Sequence, residues 1–550
     1  MIGFPDNEAR AFPWSRRRVA PVFAQRGMVA AQHPLVTSTG VRVLADGGNA
    51  VDAAVASALV AAVVMPEMCG LGGDLFALVH DPAGNAGAGE IRSFQGSGIA
   101  PRGATIEQMR AARDGRHMPN QGPLAVTVPG MVDGYFTLLD RYGSRAFADL
   151  AGPAIEYAHG HAISPVLVSF IAKFVDLLSA YPKSAAVFLP EGRPPAPGSV
   201  FRQADLAATL EAIAAGGREV FYQGEVAERI SAFMTEIGGA LRIDDLKDHQ
   251  TAVSAPLSTT YRGHTVYQTR PPSQGMIMLE ALNIAEEFDL PTIGPTSPER
   301  THLLVEAVRL AFADRYAYLG DPAFGDPPVD QVLSKEWARR RRREIGPHAR
   351  TDLAAGALDP GHTTYLCVVD GNGMMVSLIQ SVASNFGSGV VAGDTGVVLN
   401  NRAQAFSLDD RSPNVFAPGK KPVHTLNCYL IADSAGRPVI VGGTPGGDRQ
   451  PQWNLQTVTG LIDAGWDVQQ TIEQPFWITS TSAEGDGFTL SLEGRVDAEV
   501  ASDLRERGHA VEVAGDWSCE SGAQIIARDP ETGVLAGGTD PRAEGQVLGL

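Results

Sequence analysis

Two short stretches of the chain carry residue types from which hydrolytic chemistry can be built. The first is Thr363-Thr364, where a Gly- and Pro-containing stretch meets the run Thr364-Tyr365-Leu366-Cys367-Val368-Val369. A threonine with a free α-amino group can act alone, because its hydroxyl is the nucleophile and its amine, with a pKa of about 7.7 to 8.0, is the base. Cleavage between His362 and Thr363 would create that arrangement. The second stretch is Gly442-Gly443-Thr444-Pro445-Gly446-Gly447-Asp448. A tight turn at Pro445-Gly446 can aim successive backbone N–H groups at one point, which an oxyanion hole requires. Taken locally, each pattern is also ordinary: Thr-Thr suits a strand start and Pro-Gly-Gly suits a structural turn. Other devices fall short. Gly70-Leu71-Gly72-Gly73 lacks phosphate-loop spacing and a following Lys-Ser or Lys-Thr, His159 and His161 lack a third metal ligand nearby, and no serine sits in a Gly-x-Ser-x-Gly elbow. These residues call for no metal and no cofactor.

The elements around the threonine pair place it at a boundary. From Gly346 to His362 periodicity fades through Gly346-Pro347, Gly356 and Asp359-Pro360-Gly361, the pattern of an exposed connection. After it, a strand from Thr364, the turn Asp370-Gly371-Asn372-Gly373 and a strand from Met375 to Val382 predict a hairpin. Upstream, a small-residue helix over Val51 to Met65 precedes a strand over Leu75 to His80. A later helix is capped by Ser297, carries Pro298 in its first turn and stops near Gly320-Asp321-Pro322.

Composition narrows the partners. A net charge of −18 disfavours nucleic acid or an anionic membrane surface, each of which needs clustered Lys and Arg. The one dense basic run, Arg339 to Arg343, reads as the solvated cationic end of a helix. Cys69, Cys367, Cys428 and Cys519 lie far apart and read as reduced thiols. Arg16-Arg17-Arg18 is followed by too short an apolar stretch for a secretory signal, and Val51 to Met65 falls short of the roughly 20 residues of a membrane span. The expectation is a cytoplasmic protein.

Several motifs taken in order resemble the gamma-glutamyltranspeptidase family of N-terminal nucleophile hydrolases. They are His33-Pro34-Leu35, Gly47-Gly48-Asn49-Ala50-Val51-Asp52, Gly70-Leu71-Gly72-Gly73, Val128-Pro129-Gly130, Pro271-Pro272-Ser273 and the Glu306 to Arg315 block. Thr363-Thr364, Phe386-Gly387-Ser388-Gly389, Leu399-Asn400-Asn401 and Pro445-Gly446-Gly447 complete the series. The resemblance implies an α+β fold, a four-layer αββα sandwich of the N-terminal nucleophile hydrolase type. It implies a precursor cut into a large subunit, residues 1–362, and a small one, 363–550, which share one sandwich and can assemble into a higher oligomer. Thr363 would serve both self-cleavage and turnover of a small-molecule amide. Gly446 and Gly447 would hold the oxyanion, and Ser381 would contact the nucleophile.

The departures from the family pattern concern the substrate. Gln95 stands where the family places its glutamate-binding arginine, Ala405 where it places the acidic residue for the substrate ammonium, His424-Thr425 where it places paired serines, and Ala383 where it has an asparagine. A zwitterionic glutamyl group would then leave buried charges unpaired. The pattern resembles a divergent branch with oxamate amidohydrolase and acylase-like members, in which Arg402 and His424 are candidates to bind a different carboxylate. An ion pair within the fold is the competing role for Arg402. Two alternatives stand beside this reading: an ordinary gamma-glutamyltransferase acting on glutathione, and a non-catalytic binding protein on the same fold.

Overall fold

The computed structural model describes residues 2–4, 19–84, 89–351, 353, 361–481 and 488–550. Arg16-Arg17-Arg18, Gly356 and Asp359-Pro360 lie outside the described residues.

Two seven-stranded sheets form the centre. Their strands are β1 (Val22–Ala24), β2 (Gly27–Ala31), β3 (Asp74–Asp81), β4 (Glu90–Gly96), β5 (Ala252–Ser254), β6 (Leu257–Tyr261), β7 (His264–Gln268), β8 (Thr364–Asp370), β9 (Met375–Ser381), β10 (Tyr429–Ala432), β11 (Pro438–Gly443), β12 (Gln524–Arg528), β13 (Leu535–Thr539) and β14 (Gln546–Gly549). One sheet runs β14-β2-β8-β9-β3-β4-β5 and the other β1-β13-β12-β11-β10-β7-β6. The expected hairpin is β8 with β9, antiparallel, with Thr364 opposite Gln380.

Alternation along the strands builds the layers. On β8, Tyr365, Cys367 and Val369 face the second sheet, where they meet Cys428, Leu430, Val441 and Ile526. Leu366 and Val368 face the other way, onto α1 (Pro34–Ala45) and α2 (Ala50–Val64). The second sheet turns Ile431, Ile440 and Ile525 toward three helices, α3 (Gly275–Glu286), α4 (Pro298–Tyr318) and α5 (Gln450–Ile462). The result is helix, sheet, sheet, helix: the α+β four-layer sandwich. Every residue of α2 is buried, which its Ala and Val content permits because small side chains allow helix and sheet to approach closely.

Local signals account for the ends of these helices. Asn49 and Asp52 close a capping box on α2, and Ser297 accepts from the Arg300 N–H at the start of α4. Gly72 and Gly73 are demanded by close approach, since a Cβ there would lie 2.2 Å from Val398 O and 2.3 Å from Ser381 O. The basic run ends the helix Lys335–Arg342, but it is not wholly solvated: Arg341 is ion-paired with Asp314 and Glu344. Cys69, Cys367 and Cys428 are buried free thiols. Among the described residues no helix is long and apolar enough to cross a membrane.

Candidate active site

Thr363 immediately precedes β8 and is 1% exposed. Strand alternation separates it from its neighbour: the Thr364 hydroxyl turns to Met65, at the end of α2, whereas Thr363 lines a cavity of about 230 Å³. Gly446, His362, Gln32, Glu67 and Arg449 share that cavity. The Gln450 amide donates to Thr363 Oγ1 at 3.5 Å, while Gln450 Oε1 accepts from Asn427 N–H at 3.1 Å and is thereby fixed.

The peptide bond ahead of Thr363 is gripped from the end of β9. Ser381 Oγ donates to His362 O at 2.7 Å and accepts from the Ala383 N–H at 2.7 Å, while the His362 N–H donates to Ala383 O at 2.8 Å. The family resemblance places Ser381 against the nucleophile; here its hydroxyl contacts the carbonyl that the nucleophile would attack. A hydroxyl so placed withdraws charge from that carbonyl and stabilises negative charge as it develops on oxygen.

Gly446 and Gly447 have φ of +121° and +59°, and a Cβ on Gly446 would lie 2.5 Å from Trp453 Cζ3. Both conformations are costly for other residues, and a turn of this kind can aim successive backbone N–H groups into an anion-binding concavity. Arg315 clamps the following residue, Asp448, at 2.6 Å, and Gln274 Nε2 ties the turn to the Thr425 segment by donating to Gly447 O and Thr425 O, both at 3.0 Å.

Of the candidate substrate residues, Arg402 and His424 meet at a carboxylate that sequence reasoning had passed over, and Thr425 joins them through Arg402. Gln95 stands apart, and none of the four is among the residues that line the Thr363 cavity. Asp74 opposes Ser381 across the β3–β9 ladder. Its Oδ2 lies 3.0 Å from His424 Nε2 and 3.4 Å from Arg402 Nε, and Arg402 Nη1 donates to Thr425 Oγ1 at 3.0 Å. His424 Nδ1 accepts from the Leu426 N–H at 3.2 Å, so Nε2 carries the proton and donates to Asp74. Burial, and then the Arg402 charge beside it, hold the His424 pKa down at about 4, so the ring is neutral near pH 7. Gln95 on β4 is nearly buried and turns its amide to Arg270 O, 2.5 Å away. Sequence reading gave no role to Gln450, Asn427 or Asp74, because an amide or carboxylate whose partners are distant in sequence carries no local signature.

Elsewhere, His159 pairs with Glu211 at the surface and His161 Nδ1 contacts Tyr157 O, so the two imidazoles share no ligand. Among the described residues one cluster, His302, Glu306 and His509, has metal-like spacing. Its groups already hold one another, Arg309 and backbone atoms, as an internal polar network does.

The gamma-glutamyltranspeptidase profile matches residues 36–550, nearly the whole of this architecture. The chain belongs to the gamma-glutamyltranspeptidase family. It is 39% identical over 532 residues to the glutathione hydrolase-like YwrD proenzyme of Bacillus subtilis, covering 96% of this chain and 99% of that one. It is 38% identical over 531 residues to the oxamate amidohydrolase proenzyme of Klebsiella pneumoniae, covering 95% and 98%. The crystal structure of cephalosporin acylase from Bacillus halodurans superimposes with a TM-score of 0.90 at 36% identity, covering 99% of each chain. This chain is therefore an enzyme, an N-terminal nucleophile hydrolase of a family whose proenzymes are cleaved into large and small subunits and act on small amides.

Proposed function

We propose that the precursor cuts itself between His362 and Thr363, and that the new N-terminal threonine then hydrolyses an amide whose acyl group is not gamma-glutamyl. The observation that carries this reading is the Ser381 hydroxyl resting on the His362 carbonyl, with the Thr363 hydroxyl and the Gly446 turn at the same cavity.

In self-cleavage, Thr363 Oγ adds to the His362 carbonyl carbon and the C–N bond breaks, leaving an ester on Oγ and a free α-amine. Water hydrolyses that ester and separates residues 1–362 from 363–550. In turnover, the α-amine accepts the hydroxyl proton as Oγ attacks the substrate carbonyl, and passes it to the departing amine. The Gly446 and Gly447 N–H groups receive the oxyanion. Water, deprotonated by the same amine, then releases the acid and restores the hydroxyl.

Two features disfavour a glutamyl acyl group. Gln95 and Ala405 supply neither the cation nor the anion that the family pattern uses, and the Arg402 charge is already opposed by Asp74. In this reading a substrate carboxylate shares Arg402 with Asp74, and His424 acts by holding Asp74 rather than by touching substrate. The names of the relatives, an oxamate amidohydrolase and a cephalosporin acylase, define the first substrates to try: oxamate and cephalosporins. Intact mass and N-terminal sequencing test the first step: a single uncut chain refutes it. An amide panel tests the second, because release of amine from a chromogenic gamma-glutamyl derivative in preference to oxamate and acyl amides refutes the altered pocket.

A further inference from the structure

Glu67 has no part in the scheme above, yet it lines the cavity that holds Thr363 and is 2% exposed. Its Oε2 is buried without a hydrogen-bond partner. A buried carboxyl oxygen left unpartnered is costly unless something else pairs with it. The side chain is not there through slack in the backbone. The loop after α2 is pinned to the segment after Ser381, with Phe386 N–H donating to Glu67 O at 3.1 Å and Val382 N–H to Met68 O at 3.1 Å.

The charges around it point one way. Of the cations at this cavity, Arg449 is paired with Glu520 at 3.0 Å and Arg542 with Glu493 and Asp540 at 2.7 and 3.0 Å. His33 is neutral, its pKa held at about 4 first by burial and then by His161. His362 packs edge-on against Phe170, and in the processed enzyme the freed Thr363 α-amine, with a pKa of about 7.7 to 8.0, adds one more titratable cation to this cavity. Glu544 faces the same space and adds a second acidic group.

Building on the proposed role of Thr363, we propose that Glu67 is a substrate-contacting residue that takes a protonated amine carried by the amide substrate, with Glu544 adding long-range attraction. Glu67 and the nucleophile line one cavity of about 230 Å³, large enough for a short ammonium chain, and a turn of the Glu67 side chain toward that cavity would bring its carboxylate to the ammonium. Burial raises the Glu67 carboxyl to about 8, so near neutral pH it is protonated when the cavity is empty. Binding an ammonium then expels that proton, and affinity rises with pH until the carboxyl is ionised in the free enzyme.

The test uses the processed wild-type enzyme and Glu67→Gln with propylammonium chloride, followed by calorimetry in two buffers of different ionisation heat and by inhibition of turnover. Expected are competitive inhibition, proton release on binding that is absent from the variant, and weakening by about 10- to 100-fold in Glu67→Gln, the range for a charged hydrogen bond. The ratio of kcat/KM for an amide bearing an ammonium over its neutral hydroxyl isostere should fall by the same factor. Equal binding by both proteins, or no binding, overturns the assignment and leaves Glu67 a buried carboxyl of the fold. Should Glu67→Gln not accumulate folded, wild-type inhibition that fails to tighten between about pH 6 and about pH 8 overturns it. Loss of the Thr363 reading shows differently, as an uncut or inactive chain, while propylammonium binding stays measurable by heat.

Discussion

Replacing Ser381 by alanine isolates the step on which the mature enzyme depends. The hydroxyl makes two contacts of 2.7 Å, donating to the carbonyl oxygen of the bond to be cut and accepting from the Ala383 N–H. The first becomes stronger as the carbonyl oxygen gains charge, so losing it should slow self-cleavage by about 10²- to 10³-fold, the usual cost of one oxyanion donor. The second is a ground-state contact in a buried segment, and losing it leaves an N–H unsatisfied, at about 1 to 3 kcal/mol of stability. The two effects separate by assay. Purified Ser381→Ala precursor, incubated and sampled by intact mass, should stay largely uncut over times in which wild type is fully processed, while its thermal midpoint falls only modestly. Ser381→Thr, which keeps a hydroxyl, should cleave at an intermediate rate. Processing of folded Ser381→Ala at the wild-type rate would refute the idea that this hydroxyl acts on the His362 carbonyl.

Thr363→Ala should remain one chain indefinitely, whereas Thr363→Ser should still yield two fragments, checked by N-terminal sequencing of the smaller one. Gly446→Ala places a methyl 2.5 Å from Trp453 at φ +121°, which should cost about 1 to 3 kcal/mol in the thermal midpoint and reduce kcat/KM on the order of 10²-fold. The His424 pKa is about 4 in the fold against about 6.5 unfolded, so the unfolded chain binds more protons between those values. Its stabilising effect is complete above about pH 6.5 and is lost as pH falls toward about 4, on the order of 3 kcal/mol in all. Urea midpoints at both ends of that window should therefore differ less in His424→Gln than in wild type. Asp74→Ala, which removes the carboxylate that buried Arg402 and His424 share, should destabilise by about 3 to 5 kcal/mol, read from the same titrations.

Much of this was legible along the chain because it depends on neighbours in sequence. Small residues from Ala50 to Val64, the caps Asn49 and Ser297, and the Asp370-to-Gly373 turn between two β-rich runs set helices and hairpin by local propensity and capping. The boundary at Thr363 and the Pro445-Gly446-Gly447 turn were visible for the same reason, although only their agreement with a family pattern raised them above ordinary strand starts and turns.

What tertiary structure alone decided is which partners each of those residues meets. Alternation sends Thr364 to Met65 and leaves Thr363 at the cavity, a choice that a doubled threonine does not announce. Ladder register sets Asp74 opposite Ser381, and that carboxylate meets Arg402 and His424 although more than three hundred residues separate them along the chain. A hydrogen bond or charge pair is specified by distance and direction in space, and two residues far apart in sequence acquire those only when the sheets and helices between them have packed.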